Sequence, residues 1–284
     1  MIVRESLQSA ARTLGGARIE DPFIEAELLL GDVLRMSRTQ LRSNHLRPLN
    51  DEETSHLRAL IQRRLNHEPS PYILGRREFY ALDFYVDRRV LIPRPETELL
   101  VEQAIECATG LAGPHHTVSI ADVGTGCGCI AVSLALALPN ARVYATDISA
   151  AALEVARLNI AHHRVEHRID LLEGDLLAPL PEPVNMVVAN LPYVSSCQLG
   201  HLSPEITQFE PPVALDGGPD GMDKIGRILR QLPSRLAKPG VFCLELGQGQ
   251  HIAVTSAVNT LLPGVELRLV LDLAGIPRVL TGLM

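Results

Sequence analysis

The chain has 284 residues, is 46% hydrophobic and carries a formal charge of −7, which excludes a disordered or fibrous protein and leaves ample length for a buried core. At about 150 residues per domain the length suggests roughly two domains. A mildly acidic chain is also a poor candidate for coating nucleic acid by phosphate neutralisation, although a local basic patch stays open. Residues 1–86 hold 12 Arg against 12 Asp or Glu, so the net charge falls on the remainder. Trp is absent and aromatics make up 4%, so Leu, Val, Ile and Ala must fill the core. Cys107, Cys127, Cys129, Cys197 and Cys243 form neither a C-x-x-C pair nor a Cys/His cluster, which points to a reducing, cytoplasmic setting and to no metal. Arg4 and Glu5 interrupt the start before a signal-peptide core could form. Residues 123–141 are uncharged and long enough to span a bilayer. Three glycines open that stretch and Pro139-Asn140 closes it, so it reads as a short helix buried on a sheet, not a membrane span.

In chain order, Ile2–Leu14, Pro22–Arg35 and Asp51–Asn66 carry apolar residues at helical spacing and predict a small helical bundle. Asp21-Pro22 supplies a capping residue before a first-turn proline, and Asn50 or Asp51 serves the third helix in the same way. Residues 78–86 are aromatic and strand-like, Asp87-Arg88-Arg89 turns, and Val90-Leu91-Ile92 follows, which predicts a hairpin joining two domains. Arg63-Arg64, Arg76-Arg77 and Arg88-Arg89 read as solvated surface, with partner contact as the alternative. A helix from Glu96 to about Ala108 breaks at Ala112-Gly113-Pro114-His115-His116. From there strands alternate with helices: 118–123, a helix to Leu138, 142–146, a helix over 150–162, 168–172 and 184–189. A long loop precedes a helix over 222–236, a strand over 241–246, a helix to Leu262 and strands over 265–271 and 278–281. The alternation predicts an α/β, doubly wound parallel sheet. The link at 272–275 is too short for a crossover helix, so the last two strands must be antiparallel neighbours.

Chemistry enters at the first turn of that sheet. Asp122-Val123-Gly124-Thr125-Gly126-Cys127-Gly128 follows a strand and opens a helix, so its backbone can approach a ligand closely. Asp147 stands nineteen residues beyond Gly128 at the end of the second strand, where a carboxylate can accept both hydroxyls of a ribose. Glycine loop, acid and βαβ context together specify a nucleoside-containing cofactor. The spacing is G-x-G-x-G, not the G-x-G-x-x-G of pyrophosphate cofactors, and suits S-adenosylmethionine, whose methionine tail carries no phosphate. Asp175, after the third strand, reads as an adenine neighbour or a solvated turn acid.

The fourth strand ends in Asn190-Leu191-Pro192-Tyr193, at the carboxyl edge where an open sheet holds its ligands. An amide or aromatic amine nitrogen is a poor nucleophile. The Asn190 carbonyl and a main-chain carbonyl near Leu191 or Pro192 can hold its two N–H groups and aim its lone pair at a methyl donor. Pro192 stiffens the turn and Tyr193 offers a flat face.

Further stretches sharpen this reading. Glu68-Pro69-x-x-Tyr72-Ile73-x-Gly75, Leu91-Ile92-Pro93-Arg94-Pro95-Glu96-Thr97-Glu98, the glycine loop, Asn190-x-Pro192-Tyr193, Phe209-Glu210-Pro211 and Asp272-Leu273-Ala274-Gly275-x-x-Arg278 span nearly the whole chain. Through them the sequence closely resembles the peptide chain release factor glutamine methyltransferase family. The resemblance implies a Rossmann-like class I methyltransferase with a seven-stranded sheet and a small N-terminal helical-bundle domain joined by a β-hairpin. Its division would be 1–75 for release-factor docking, 76–95 for the hairpin linker and 96–284 for catalysis. It implies methyl transfer from S-adenosylmethionine to the glutamine of the Gly-Gly-Gln motif in class-one release factors. Gly124, Thr125, Gly126, Cys127, Gly128, Asp147, Leu176 and Asn190 would bind the donor. Asn190, Leu191, Pro192 and Tyr193 would hold the glutamine, with Asn190, Pro192 and Tyr193 catalytic. A cytoplasmic monomer with no stable nucleic acid and no membrane is expected. Leu191 departs from the family's usual proline, Gln208 stands where an arginine often precedes Phe-Glu-Pro, and Leu176 replaces an aromatic found in some members. The Asn-x-Pro-Tyr loop is shared with adenine N6 methyltransferases of DNA or RNA, the alternative reading.

Overall fold

The structure, a computed structural model, describes residues 1–111 and 117–284. The expected helix break at 112–116 lies outside the described residues. Contacts divide the chain into two compact units, Met1–Arg76 with Pro204–Phe209, and Arg77–Ser203 with Glu210–Met284.

The first unit contains α1 (Val3–Gly16), α2 (Pro22–Leu34), α3 (Arg38–Ser43), α4 (Asp51–Leu65) and α5 (Ser70–Leu74). Its core gathers the apolar stripes of these helices, among them Val3, Leu7, Leu14, Leu29, Leu30, Leu41, Leu57, Leu60 and Ile73. Asn50 caps α4 as expected, its side chain accepting from Glu53 N. Asp21 does not cap α2: it sits in the left-handed region at φ 44° with no side-chain cap, and Pro22 alone starts the helix. Sequence reasoning missed α3, a six-residue helix too short to show a period, although Ser37 and Gln40 close a capping box on it.

Arg64 corrects the expectation of a solvated arginine pair. It is 3% exposed, and its Nε donates to Glu25 Oε2 at 2.8 Å while Nη2 donates to Glu205 Oε1 at 2.6 Å. A buried guanidinium needs such partners. Glu205 belongs to a short helix far along the chain, Pro204–Phe209, which this ion pair ties into the first unit.

A two-stranded ribbon follows, β1 (Arg76–Phe79) and β2 (Leu82–Tyr85), all of it but Arg76 in the second unit. The chain does turn at 87–90, Val90 N donating to Asp87 O at 3.1 Å, but the hairpin itself turns at Tyr80-Ala81, and residues 90–92 form no strand. Tyr80 and Ala81 both hold positive φ, 52° and 57°, as a tight two-residue hairpin turn requires. Neither residue type announces that geometry.

The main sheet contains β3 (Ser119–Val123), β4 (Arg142–Asp147), β5 (Ile169–Glu173), β6 (Val184–Ala189), β7 (Leu236–Glu245), β8 (Glu266–Leu271) and β9 (Pro277–Leu283), in the order β5-β4-β3-β6-β7-β9-β8. Strands β3 to β7 are parallel; β9 runs antiparallel between β7 and β8. The alternation predicts this α/β sheet, and the short 272–275 link predicts its last two strands as antiparallel neighbours. Its helices are α6 (Glu96–Leu111), α7 (Cys129–Ala137), α8 (Ala150–His162), α9 (Ser196–Leu199), α11 (Asp223–Arg235) and α12 (His251–Leu261), α10 being the Pro204–Phe209 helix of the first unit. Val187 and Ala189 of β6, Phe242 and Leu244 of β7, and the inner faces of α11 and α12 form one apolar cluster. Met186 and Val188 are equally buried but point the other way, as alternation along a strand demands. With both faces covered, β6 is apolar throughout apart from Asn185. Among the described residues no helix is long and apolar enough to cross a membrane.

The strand order reverses between β3 and β6, which are direct neighbours. The loops leaving their carboxyl ends diverge there and open a crevice. The glycine loop leaves β3, and the Asn-Leu-Pro-Tyr loop leaves β6.

Candidate active site

The glycine loop is held by main chain and buried side chains. Gly124 N and Thr125 N both donate to Thr146 O, at 2.8 and 3.0 Å. The Thr125 hydroxyl donates to Asp122 Oδ2 at 2.6 Å, and Ala131 N, in the first turn of α7, donates to the same oxygen at 3.1 Å. Burial pushes the Asp122 carboxyl up to about 7. The Cys127 carbonyl accepts from Asn159 Nδ2 at 2.8 Å, and that amide also pairs with the backbone of Tyr85. Gly126 (φ 56°) and Gly128 (φ 83°) adopt the left-handed region. A side chain at 128 would press on Ala156 of α8 at 3.3 Å, whereas one at 126 would meet nothing within 4 Å. Gly126 therefore faces open space.

That space belongs to a cleft at the carboxyl ends of β3, β4 and β6. Of the residues singled out in the sequence, Gly124, Gly126, Asp147, Leu176, Asn190, Leu191 and Pro192 line it together. Thr125 and Cys127 are buried beneath the loop, and Gly128 packs on α8. Tyr193 lines a second, adjoining cleft with Gly247 and Gln250, and its carbonyl accepts from Gln250 Nε2 at 3.0 Å. Burial raises its phenol to about 12. Asp175 lines the first cleft and is ion-paired with Arg227. Ile148, Val213 and Lys224 also line it and carried no recognisable signal.

Asp147 accepts one backbone hydrogen bond on each oxygen, from Gly126 N and from Ser149 N, both at 2.9 Å. A carboxylate has acceptor sites left after two bonds, so it can still take two hydroxyls from the cleft. Burial raises its pKa while the backbone donors oppose the shift. Leu176 is held at φ 52°, its carbonyl accepting from the Thr146 hydroxyl at 2.9 Å.

Asn190 is held from behind. Its Nδ2 donates to Thr97 Oγ1 at 3.0 Å. With Nδ2 engaged, Oδ1 is the amide atom left to accept a hydrogen bond. Thr97 is 3% exposed and bears on the Glu245 carboxyl, opposing the rise in pKa that burial causes there. Thr97 lies in the Pro-Glu-Thr-Glu stretch that carried the resemblance, yet nothing in the sequence linked it to Asn190. Glu245 had no sequence signal. Nearby, Arg94 Nη2 donates to both oxygens of the buried Glu210, at 2.6 and 2.8 Å, fixing the Pro93-Arg94-Pro95 stretch against the segment that leads to Pro211 on the cleft wall. Among the described residues no group of three or more His, Cys, Asp or Glu could hold a metal ion.

Two family models match the chain: the PrmC N-terminal domain over residues 5–75 and the methyltransferase small domain over residues 97–203. A release factor glutamine methyltransferase from Chlorobaculum tepidum is 44% identical over 86% of this chain and 85% of its own. The chain belongs to the release factor glutamine methyltransferase family. Another member, from Bradyrhizobium diazoefficiens, is 36% identical over 98% of this chain and 95% of its own. The family places the cleft in a methyltransferase, and the sheet agrees: a solved methyltransferase from Pyrococcus furiosus shares the fold with a TM-score of 0.52, at 15% identity over 72% of this chain and 90% of that one.

Proposed function

We propose that this chain transfers a methyl group from S-adenosylmethionine to the side-chain amide nitrogen of the glutamine in the Gly-Gly-Gln motif of class-one release factors. The observation that carries the reading is the tethered Asn190, whose amide nitrogen is engaged by Thr97 so that its oxygen is left for an acceptor amide.

The cleft residues fit the donor. Asp147 keeps acceptor capacity for a ribose, Gly126 leaves the loop side of the cleft open, and apolar Leu176 and Ile148 suit an adenine face. Bound there, S-adenosylmethionine would supply a methyl carbon activated by a cationic sulfur, which keeps the bond's electron pair as the glutamine nitrogen takes the methyl and loses a proton to water. Asn190 Oδ1 and a main-chain carbonyl of the Leu191-Pro192 turn accept the two N–H groups of the glutamine. This holds the lone pair in line and stabilises the positive charge that develops on nitrogen. Tyr193 and Pro192 restrict the planar amide. No strong base is needed, because the methylated nitrogen releases its proton readily.

In this account residues 1–75 dock the release factor, 76–95 link the domains and 96–284 perform the transfer. The enzyme acts as a cytoplasmic monomer on a protein, with no stable nucleic-acid partner. The test is peptide mass spectrometry of a release factor incubated with the enzyme and donor. One added methyl on the Gly-Gly-Gln glutamine is expected. An unmodified release factor, with methyl appearing instead on adenine of DNA or RNA in a parallel incubation, would overturn the proposal.

A further inference from the structure

Glu245 is a buried carboxyl that the transfer itself does not use. It ends β7, and the parallel register that sets Leu244 beside Ala189 puts it next to Asn190. It is 3% exposed, its Oε2 has no hydrogen-bond partner among the described residues, and Thr97 is the side chain that favours its ionised form against burial. A carboxyl in such a place is costly to keep unless it does something an apolar side chain could not.

We propose that Glu245 and Thr97 form a positioning relay that fixes which end of the Asn190 amide faces the acceptor nitrogen. This rests on the glutamine-methylation reading above. An ionised carboxylate can only accept, so the Thr97 hydroxyl must donate to it. The oxygen of Thr97 is then free to accept, and it takes Asn190 Nδ2. The remaining amide atom, Oδ1, is therefore an acceptor toward the cleft. Protonation of Glu245 removes the bias. The acid can then donate to Thr97, Thr97 can donate to Asn190 Oδ1, and the amide can turn over to present N–H groups to a substrate that also offers N–H. Neither Thr97 nor Glu245 touches the reacting atoms; both act through Asn190.

The groups acting on Glu245 set where this happens. Burial raises its pKa most, Thr97 opposes that, Glu96 from the first turn of α6 raises it further, and Arg278 of β9 and Arg94 lower it, leaving it at about 7. Tyr193 faces the same cluster and feels Glu245, Arg278, Arg94 and Glu96 in turn. The productive orientation is therefore enforced above that pH and released below it.

The test is kcat for transfer to a release factor, at saturating donor and across pH, for wild type, E245Q, T97V and T97S, with donor affinity measured by calorimetry. Wild-type kcat should fall as pH drops through about 7. E245Q should be slower by about 10-fold at high pH and should lose that inflection. T97V should lose up to about 100-fold in kcat with unchanged donor affinity, as expected for a misplaced acceptor, and T97S should restore most of it. Without any substrate, the side-chain amide resonances of Asn190 in proton–nitrogen correlation spectra should titrate in wild type and stay still in E245Q. The relay is overturned if E245Q keeps both the wild-type rate and the wild-type profile, or if the Asn190 resonances ignore the ionisation. A wild-type enzyme that transfers nothing to the release factor sinks the underlying reading instead, and the substrate-free titration still decides the relay.

Discussion

The two loops that frame the cleft are built in opposite ways. The loop after β3 is anchored largely through its backbone atoms: Thr146 O receives two of its N–H groups, Asp147 a third, Asn159 holds the Cys127 carbonyl, and left-handed glycines replace side chains where space is needed. The loop after β6 is fixed by side chains, with Asn190 tethered to Thr97 and the Tyr193 carbonyl to Gln250. A backbone cradle offers shape and affinity for a fixed ligand. A side-chain tether offers orientation of one atom pair, the requirement of a reaction step. Damage to the first loop should therefore appear in donor binding, and damage to the second in turnover.

Asn190→Ala is the sharpest way to break that contrast. Single-turnover rates should fall on the order of 10²–10³-fold, as for loss of one preorganised partner of developing charge, while calorimetry finds donor affinity nearly intact. Asp147→Ala should do the reverse, weakening donor affinity by about 10- to 100-fold through loss of charge-assisted hydrogen bonds, with most of kcat recovered at saturating donor. Gly128→Ala separates folding from binding. It forces an alanine into the left-handed region against Ala156 and should cost about 1–3 kcal/mol in denaturant unfolding. Gly126→Ala meets open space, so its stability loss should be smaller and its donor affinity should drop.

A separate prediction concerns pH. Burial lifts Asp122 from 3.8 to about 7, so the folded protein holds that proton more tightly than the unfolded chain. Its contribution to stability is thus full below pH 3.8 and is lost as pH rises through about 7. Asp122→Asn should flatten the pH dependence of the melting temperature across that window.

Much of this architecture was legible because periodicity and punctuation agree. Helix α8 at Ala150–His162 and strand β6 at Val184–Ala189 have the limits read from the sequence, since Ser149 caps the first and the second is a short, largely apolar segment. The hairpin was misplaced because Tyr80 and Ala81 adopt positive φ without the Asn or Gly that normally signals it. Helices α3, α5 and α10 are five or six residues long, too short for a hydrophobic period to register. At the site, contiguous motifs were readable, and residues brought in by strand register were not. Glu245 lies beside Asn190 only because β7 pairs with β6, a pairing that 54 residues of intervening chain conceal.

The most direct measurement is a crystal structure of the enzyme with S-adenosylhomocysteine and a peptide carrying Gly-Gly-Gln. The account predicts Asn190 Oδ1 at about 2.9 Å from the glutamine side-chain nitrogen, with Nδ2 still on Thr97 and the donor's sulfur on the far side of that nitrogen. A glutamine bound elsewhere, with the Asn190 side chain turned to solvent, would contradict it.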